Sequence, residues 1–104
     1  MELNHLEHNA EQASTLLKAM SNQSRLLILC QLNEGEKSVG ELERIVGLSQ
    51  SALSQHLARL RRDKLVKTRR EAQTIYYSLQ GDDALRVIKT LYGLYCETSN
   101  AAAA

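Results

Sequence analysis

Cys30 and Cys96 are the two thiols in the 104-residue sequence. They do not form a Cys-x-x-Cys motif, and Cys96 falls near the end of a helical pattern, where the helix dipole disfavours a thiolate. These features argue against a thiol peroxidase or a disulfide oxidoreductase. Two thiols are also too few for a four-cysteine zinc site. The pair therefore either packs inertly or reacts slowly and stoichiometrically, as a sensor does.

The histidines supply the remaining metal-binding chemistry. His5 and His8 are spaced i and i+3, so on a helix they share one face and could bind a metal together with a thiol. A first helical turn near a mobile terminus is a weak place for a metal site, so we expect both to be solvated. We expect His56 to be a core or capping residue of its helix.

A polar row and a basic run adjoin each other between residues 49 and 70. Gln and Ser side chains can hydrogen-bond base edges in the major groove, whereas Arg and Lys neutralise phosphates. Seven basic residues against Asp63 alone give residues 59–70 a net charge of +6, and the other residues carry −5, so the overall +1 hides a polarised molecule. The candidate DNA-binding residues are Ser49, Gln50, Ser51, Ser54, Gln55, Arg59, Arg62, Arg69, Arg70 and Gln73.

Predicted helices and strands must position these side chains, and the first three elements in the sequence are predicted helices. Apolar residues at steps of three and four predict a first helix over residues 6–20, and a short apolar run predicts a second over 25–32. Ser38 as N-cap and Gly47 as stop predict a third helix, Val39–Val46.

The polar row lies on the fourth predicted helix. Ser49 caps this helix, Gln50–Arg62, and its leucine stripe faces inward. Residues 65–69 and 74–79 are rich in β-branched and aromatic side chains, which predicts a β-hairpin. A fifth helix follows and runs to about Glu97. The inward leucines of the fourth helix are Leu53, Leu57 and Leu60.

This order of elements, α-α-α-α-β-β-α, is typical of a winged helix-turn-helix. We therefore expect a mainly α fold with a small β-hairpin, whose fourth helix reads double-stranded DNA and whose hairpin contacts phosphates. The apolar stripes of the first and fifth helices have no evident packing partner within so small a domain. They predict a homodimer, which would place two reading helices about one DNA turn, ~34 Å, apart on a palindromic operator.

Length and composition restrict the remaining possibilities. A chain of this size forms one domain, which we assign to residues 1–98, with residues 99–104 as a disordered tail. The absence of a long apolar run and the polar start predict a cytoplasmic protein with no membrane contact. The sequence shows neither paired carboxylates nor a phosphate-binding loop, which would have indicated an enzyme. We expect no cofactor.

Several segments resemble a known family over nearly the whole chain. Residues 17–20, 49–57 and Tyr76-Tyr77 are similar to the ArsR family of bacterial repressors. Within it, residues 25–30, 70–74 and 94–96 resemble the BigR, SqrR and HlyU branch. Ala72 and Gln73 stand where the wider family often carries Gly and Arg at the hairpin tip.

The resemblance implies a repressor that senses reactive sulfur species or oxidants through a cysteine pair. The residues that match those positions are Cys30 and Cys96. The metal ligands of other relatives, cysteines on the third helix or Asp and His on the fifth, have no matching set here. Three alternatives remain open at this stage: a metal-sensing repressor of the same fold, a small thiol oxidoreductase, and a helical interaction module without a DNA role.

Overall fold

A computed structural model describes residues 2–97 of the chain. The helices and strands in chain order are α1 Leu3–Met20, α2 Gln23–Asn33, β1 Lys37–Ser38, α3 Val39–Val46, α4 Gln50–Arg62, β2 Val66–Glu71, β3 Thr74–Leu79, α5 Asp83–Tyr92 and a π-helical turn, Gly93–Glu97. The strands form one antiparallel sheet in the order β1-β3-β2. The predicted winged helix-turn-helix is confirmed. The tail assigned to residues 99–104 lies outside the described residues.

Side-chain caps set where α3 and α4 begin, as the sequence predicts. The Ser38 hydroxyl accepts the Glu41 amide at 3.1 Å, and the Glu41 carboxylate accepts the Ser38 amide at 3.0 Å, which is a complete capping box. Ser49 caps α4 by accepting the Ala52 amide at 3.2 Å. Gly47 ends α3 with a φ of 73°, a left-handed conformation that favours glycine. Residues 47–49, between the end of α3 and the start of α4, form the turn of the helix-turn-helix.

Some predicted boundaries differ from the observed ones, and one short strand was not predicted. Helix α1 begins at Leu3 rather than residue 6, and α2 begins at Gln23 because Asn22 caps it by accepting the Arg25 amide. Strand β1 was not predicted, since two residues are too short to show an alternating pattern. The fifth helix does not continue as an α-helix to Glu97 but changes to π-helical winding at Gly93.

The buried core lies where α2, α4 and α5 meet the base of the hairpin. The three predicted inward leucines of α4 are all buried. They pack in one cluster with α2, with Val66 of β2, and with Ala84 and Ile88 of α5. This cluster fixes α4 by its apolar side and leaves its polar side facing outward. The α2 residues of the cluster are Ile28, Leu29 and Leu32.

No helix between residues 2 and 97 has both the length and the apolar character needed to cross a bilayer.

The capping box at Ser38 generates a prediction about stability. Replacing Ser38 with Ala leaves the Glu41 amide without its acceptor, so we expect the free energy of unfolding to fall by about 1 kcal/mol. Ser51→Ala, an exposed substitution inside α4, is the matched control and should leave stability unchanged or slightly higher. Urea titration followed by circular dichroism measures both. Equal stability of Ser38→Ala and the unmodified chain would contradict this account of α3.

Candidate nucleic-acid interface and cysteine cleft

An open cleft of about 660 Å³ separates α4 from the hairpin. The polar and basic side of α4 forms one wall, and Ile75 and Tyr77 of β3 form part of the other. Gln50 and Ser54 are exposed there, one helical turn apart. The arrangement offers amide and hydroxyl groups beside guanidinium groups, which suits contact with base edges and phosphates. The α4 residues that line it are Gln50, Ser54, Leu57, Ala58, Arg61 and Arg62.

The other predicted base-reading residues lie on the exposed side of α4 or at its start. Ser51 and Gln55 are exposed. The Ser49 hydroxyl accepts the Ala52 amide, so its first role is structural. Gln73 is exposed at the hairpin tip, next to Ala72, whose φ of 56° is left-handed. A glycine would adopt that conformation without a Cβ penalty, which agrees with the glycine that the resemblance leads one to expect there.

The two arginines on β2 lie on opposite faces of the hairpin. Successive strand residues alternate in direction, so Arg70 shares a face with buried Val66 and is paired in register with Ile75 of the cleft. Arg69 lies on the outer face, opposite Tyr76. Arg70 is therefore the hairpin arginine on the side of the cleft.

Arg69 is held by two carboxylates on the outer face. Its Nε and Nη2 atoms donate to Glu36 at 2.8 to 3.0 Å, and its Nη1 donates to Glu71 at 2.8 Å. Its guanidinium carbon lies 4.4 Å from the centre of the Tyr76 ring. These hydrogen bonds lower the pKa of the Glu36 carboxyl and raise that of Arg69. The charge of Arg69, which the sequence assigns to phosphates, is compensated in this structure.

Asp63 offsets part of the basic charge at the end of α4. It lies 3.4 Å from Arg59 Nε and 3.9 Å from Arg62 Nε. Arg59 is half-buried and does not line the cleft, whereas Arg62 is exposed and does. Within residues 2–97, the basic residues of this run that form no ion pair are Arg61, Lys64, Lys67 and Arg70.

Sequence reasoning missed the two carboxylates that hold Arg69. Glu36 is 33 residues away from Arg69 in the chain, and the contact depends on β1, which the pattern did not predict. Glu71 is two residues from Arg69 and on the same strand face, so its spacing was a usable signal.

A second cleft, of about 410 Å³, lies between α2 and the end of α5. Cys30 and Cys96 are both in its lining, and both are free thiols with exposed side chains. Most of the remaining wall is apolar or aromatic. Cys30 is therefore exposed and does not belong to the buried core cluster. The other lining residues are Leu26, Gln31, Asn33, Glu34, Ile88, Leu91, Tyr92 and Tyr95.

The surroundings of Cys30 affect its reactivity. Partial burial raises the pKa of the Cys30 thiol, and the proximity of the second sulfur, on Cys96, raises it further. A raised pKa lowers the thiolate fraction at neutral pH and slows attack by this sulfur. The influence of Cys96 on Cys30 also indicates that the two sulfurs share one local environment.

The histidines lie on two different helices. His5 and His8 are exposed on α1, as predicted, and His56 is half-buried on α4. In the part of the chain that the structure describes, no three His, Cys, Asp or Glu side chains are grouped so that they could hold a metal ion.

Comparison with known proteins places the chain among bacterial regulators. Residues 22–68 match the family described as bacterial regulatory protein, arsR family. The chain is 54% identical over 99 residues to the transcriptional activator HlyU of Vibrio cholerae serotype O1, covering 95% of this chain and 92% of HlyU. It superposes on reduced HlyU from Vibrio cholerae N16961 with a TM-score of 0.87 at 55% identity, covering 90% of this chain and 99% of that one.

Two further solved structures are similar. The transcriptional repressor BigR from Xylella fastidiosa gives a TM-score of 0.84 at 41% identity, covering 92% of this chain and 98% of BigR. A homodimeric winged helix-turn-helix DNA-binding domain from Mycobacterium bovis is described as a possible ArsR-family transcriptional regulator. It gives a TM-score of 0.80 at 27% identity, covering 96% of this chain and 93% of that one. The relatives are named as transcriptional regulators, and the resemblance to the ArsR family noted in the sequence is confirmed.

The shared environment of the two sulfurs generates a prediction about pH. Cys96→Ser removes the charge that raises the pKa of Cys30, so the pH midpoint for alkylation of Cys30 should fall, while partial burial keeps it above that of an unstructured cysteine peptide. Rates of iodoacetamide labelling across pH, followed by mass spectrometry, measure the midpoint. Ser51→Ala, which keeps both thiols, should label Cys30 like the unmodified chain. An unchanged midpoint in Cys96→Ser would mean that the sulfurs do not influence each other.

Proposed function

The chain belongs to the ArsR family of bacterial transcriptional regulators, and on that premise we propose that it is a homodimeric repressor released from its operator when Cys30 and Cys96 become bridged. The observation that carries the proposal is the position of both cysteines in the wall of one cleft between α2 and the end of α5. The natural inducer is a reactive sulfur species or an oxidant that converts the pair from two thiols to a covalent bridge.

Recognition of the operator is assigned to the exposed side of α4. Gln50 and Ser54 line the cleft beside the hairpin, and Gln is suited to bidentate contact with adenine. Arg61 and Arg62 lie on the same wall near the end of the helix, where they reach phosphates. Arg70 contacts phosphates from the hairpin, because it lies on the inner face and forms no ion pair among residues 2–97.

A homodimer is supported by apolar side chains exposed on α1 and at the end of α5. Tyr95 is 70% exposed, and the other large apolar residues there are also more than half exposed. A monomer in water has no means of covering so many, whereas a two-fold dimer buries the same face on both copies. The related Mycobacterium bovis domain is described as homodimeric. The exposed residues are Leu3, Leu6, Leu17, Tyr92, Leu94 and Tyr95.

The bridging chemistry needs only a sulfur donor of the persulfide class. The Cys30 thiolate attacks the outer sulfur of an organic persulfide, RS–SH, which breaks the S–S bond, releases RS⁻ and leaves Cys30 as its own persulfide. The Cys96 thiolate then attacks the inner sulfur, forms a disulfide and releases HS⁻. If Cys96 is first converted to a persulfide by a second donor, attack by the Cys30 persulfide anion on its inner sulfur gives a trisulfide and HS⁻.

The length of the bridge selects the inducer. A direct disulfide requires Cα atoms within about 7 Å, whereas one inserted sulfur atom relaxes that limit. A pair slightly too far apart for a disulfide therefore responds to persulfides better than to peroxide. Mass spectrometry of the bridged protein distinguishes the two products by the mass of one sulfur atom.

Helix α2 connects the bridge to DNA binding. It carries Cys30 and packs against both α4 and α5. A bridge that draws the end of α5 toward α2 changes the support of α4 and the relative placement of the two reading helices in the dimer. A coupling free energy of ~1 to 3 kcal/mol would lower operator affinity ~5- to 150-fold.

The assignment of roles at the interface generates a prediction about specificity. Gln50→Ala should cost ~1 to 3 kcal/mol on an operator duplex selected in vitro and little on a random duplex. Arg70→Ala should weaken binding to both duplexes and reduce the salt dependence by about one counterion. Arg59→Ala, which removes an arginine paired with Asp63 outside the cleft, is the matched control and should change the salt dependence less. Fluorescence anisotropy titrations at several salt concentrations give all three results.

The result that would contradict this division is an equal loss on operator and random duplex for Gln50→Ala. An Arg59→Ala effect as large as that of Arg70→Ala would show that the ion pair does not set which arginines contact DNA.

The cysteine pair generates a prediction about release. Cys30→Ser and Cys96→Ser should fold and bind the operator as the reduced, unmodified protein does, because both side chains are exposed. After treatment with a persulfide donor, the unmodified protein should dissociate and gain an intramolecular bridge, whereas each variant should stay bound, since a lone persulfide has no partner. Mobility shift and intact mass are measured on the same samples.

Thr90→Ser, which introduces a serine at an exposed position of α5 outside both clefts, is the matched control; treated in parallel, it should be released like the unmodified protein. If a single-cysteine variant is released as readily, then the pair is not the switch.

A further inference from the structure

The outer half of the β2–β3 hairpin projects from the body of the protein without support from the core. Strand β2 begins at buried Val66, whereas residues 69–75, which include the tip, are all exposed. Two strands that pair only with each other are marginally ordered in water. A contact other than core packing is therefore needed to fix the direction of this half.

Arg69 makes such a contact by reaching across the sheet. In the strand order β1-β3-β2, Ser38 is paired in register with Tyr76, and Tyr76 is paired with Arg69, so the three residues form one row. The Arg69 guanidinium lies over the Tyr76 ring of the central strand and donates to Glu36, the residue just before β1. The contact therefore joins the two edge strands of the sheet.

The geometry of this contact is more restrictive than that of an ordinary surface ion pair. All three guanidinium nitrogens of Arg69 donate to carboxylates, Nε and Nη2 to Glu36 and Nη1 to Glu71. Charge-assisted hydrogen bonds in such a fork fix a direction as well as a distance. Well-formed networks of this kind are the exception to the rule that exposed ion pairs contribute little.

The edge strand to which Arg69 is joined leads directly into the helix-turn-helix. Ser38 is the last residue of β1 and also the N-cap of α3. Helix α3 is followed after three residues by α4, the proposed reading helix. The contact at Arg69 therefore relates the outer half of the hairpin to the segment that starts the helix-turn-helix.

We propose that Arg69 is a positioning residue that braces the outer half of the hairpin against β1 through Glu36, and so presents Arg70 to DNA without itself contacting a phosphate. The inference rests on the proposed contact between the hairpin and the operator. It gives two adjacent arginines different roles. Arg69 is compensated by carboxylates on the outer face, whereas Arg70 lies on the inner face and has no ion-pair partner in the described part of the chain.

Removal of the Glu36 carboxylate gives opposite results for a brace and for a phosphate contact. If Arg69 contacted a phosphate, Glu36→Ala would free its charge and tighten binding to DNA. A brace predicts the reverse, a fall in operator affinity of about three- to tenfold, although a negative charge has been removed. Glu34→Ala removes the same charge from a carboxylate that forms no ion pair between residues 2 and 97. This matched control should bind operator as the unmodified protein does, or slightly more tightly.

Arg69→Ala and the double variant Glu36→Ala/Arg69→Ala complete a mutant cycle. Arg69→Ala should lose operator affinity to a similar extent as Glu36→Ala, and the double variant should lose no more than Arg69→Ala, because the two residues act through one contact. Arg69→Lys keeps the charge but not the fork, so it should resemble Arg69→Ala. The salt dependence of binding should be unchanged in Arg69→Ala, in contrast to Arg70→Ala.

Fluorescence anisotropy titrations of the reduced proteins, with an operator duplex selected in vitro, give these affinities. Tighter binding by Glu36→Ala than by Glu34→Ala would overturn the inference. So would a salt dependence that falls by about one counterion in Arg69→Ala, because it would show that this arginine contacts a phosphate.

Hydrogen exchange measured without DNA separates this inference from the proposed function. Amides of residues 69–76 should exchange about threefold or more faster in Glu36→Ala and Arg69→Ala than in Glu34→Ala. Unchanged exchange would overturn the brace, whatever the DNA titrations give. Faster exchange with unchanged operator affinity would show that the hairpin is braced but does not contact the operator, which would contradict the proposed hairpin contacts and the role of Arg69 in DNA binding.

Discussion

Helix α2 packs against α4 on one side and α5 on another, and this double contact is the constraint on which the rest of the structure depends. In a chain of 104 residues, one helix packs against several neighbouring elements. Ile28, Leu29 and Leu32 of α2 are buried in the core, while Cys30, between them in sequence, lies in the cleft against α5. The helix that contacts α4 therefore also carries one thiol, and the proposed switch depends on this connection.

Charge compensation divides the basic side chains into those that are paired with a carboxylate and those that are not. The run from 59 to 70 reads as a uniform stripe in sequence, but Glu36 and Glu71 hold Arg69 on the outer face of the hairpin, and Asp63 holds Arg59 beside the core. Exposed ion pairs of this kind add little to stability. Their effect is on position: Arg59 and Arg69 are paired outside the cleft, whereas Arg61 and Arg70 form no ion pair among residues 2–97.

Local signals in the sequence were sufficient for most of the fold. A serine cap, a glycine stop and a leucine stripe each act within a few residues, so Ser38, Gly47 and the inward face of α4 could be predicted. The Glu36–Arg69 contact could not, because it joins residues 33 apart through a strand of two residues. The π-helical turn at Gly93–Glu97 was not predicted either, because the apolar spacing from Tyr92 to Tyr95 is that of a regular α-helix. The cysteine pair was found by resemblance, and its cleft only by the structure.

The central claim is that the state of the cysteine pair and the affinity for operator are coupled, and thermodynamic coupling is reciprocal. The most direct measurement is the equilibrium between dithiol and bridged forms of the protein in a glutathione redox buffer, with and without saturating operator duplex. The account predicts that operator shifts this equilibrium toward the dithiol by the same factor by which bridging weakens DNA binding, ~5- to 150-fold. An equilibrium that is identical with and without operator would contradict the coupling, whatever the thiols do in isolation.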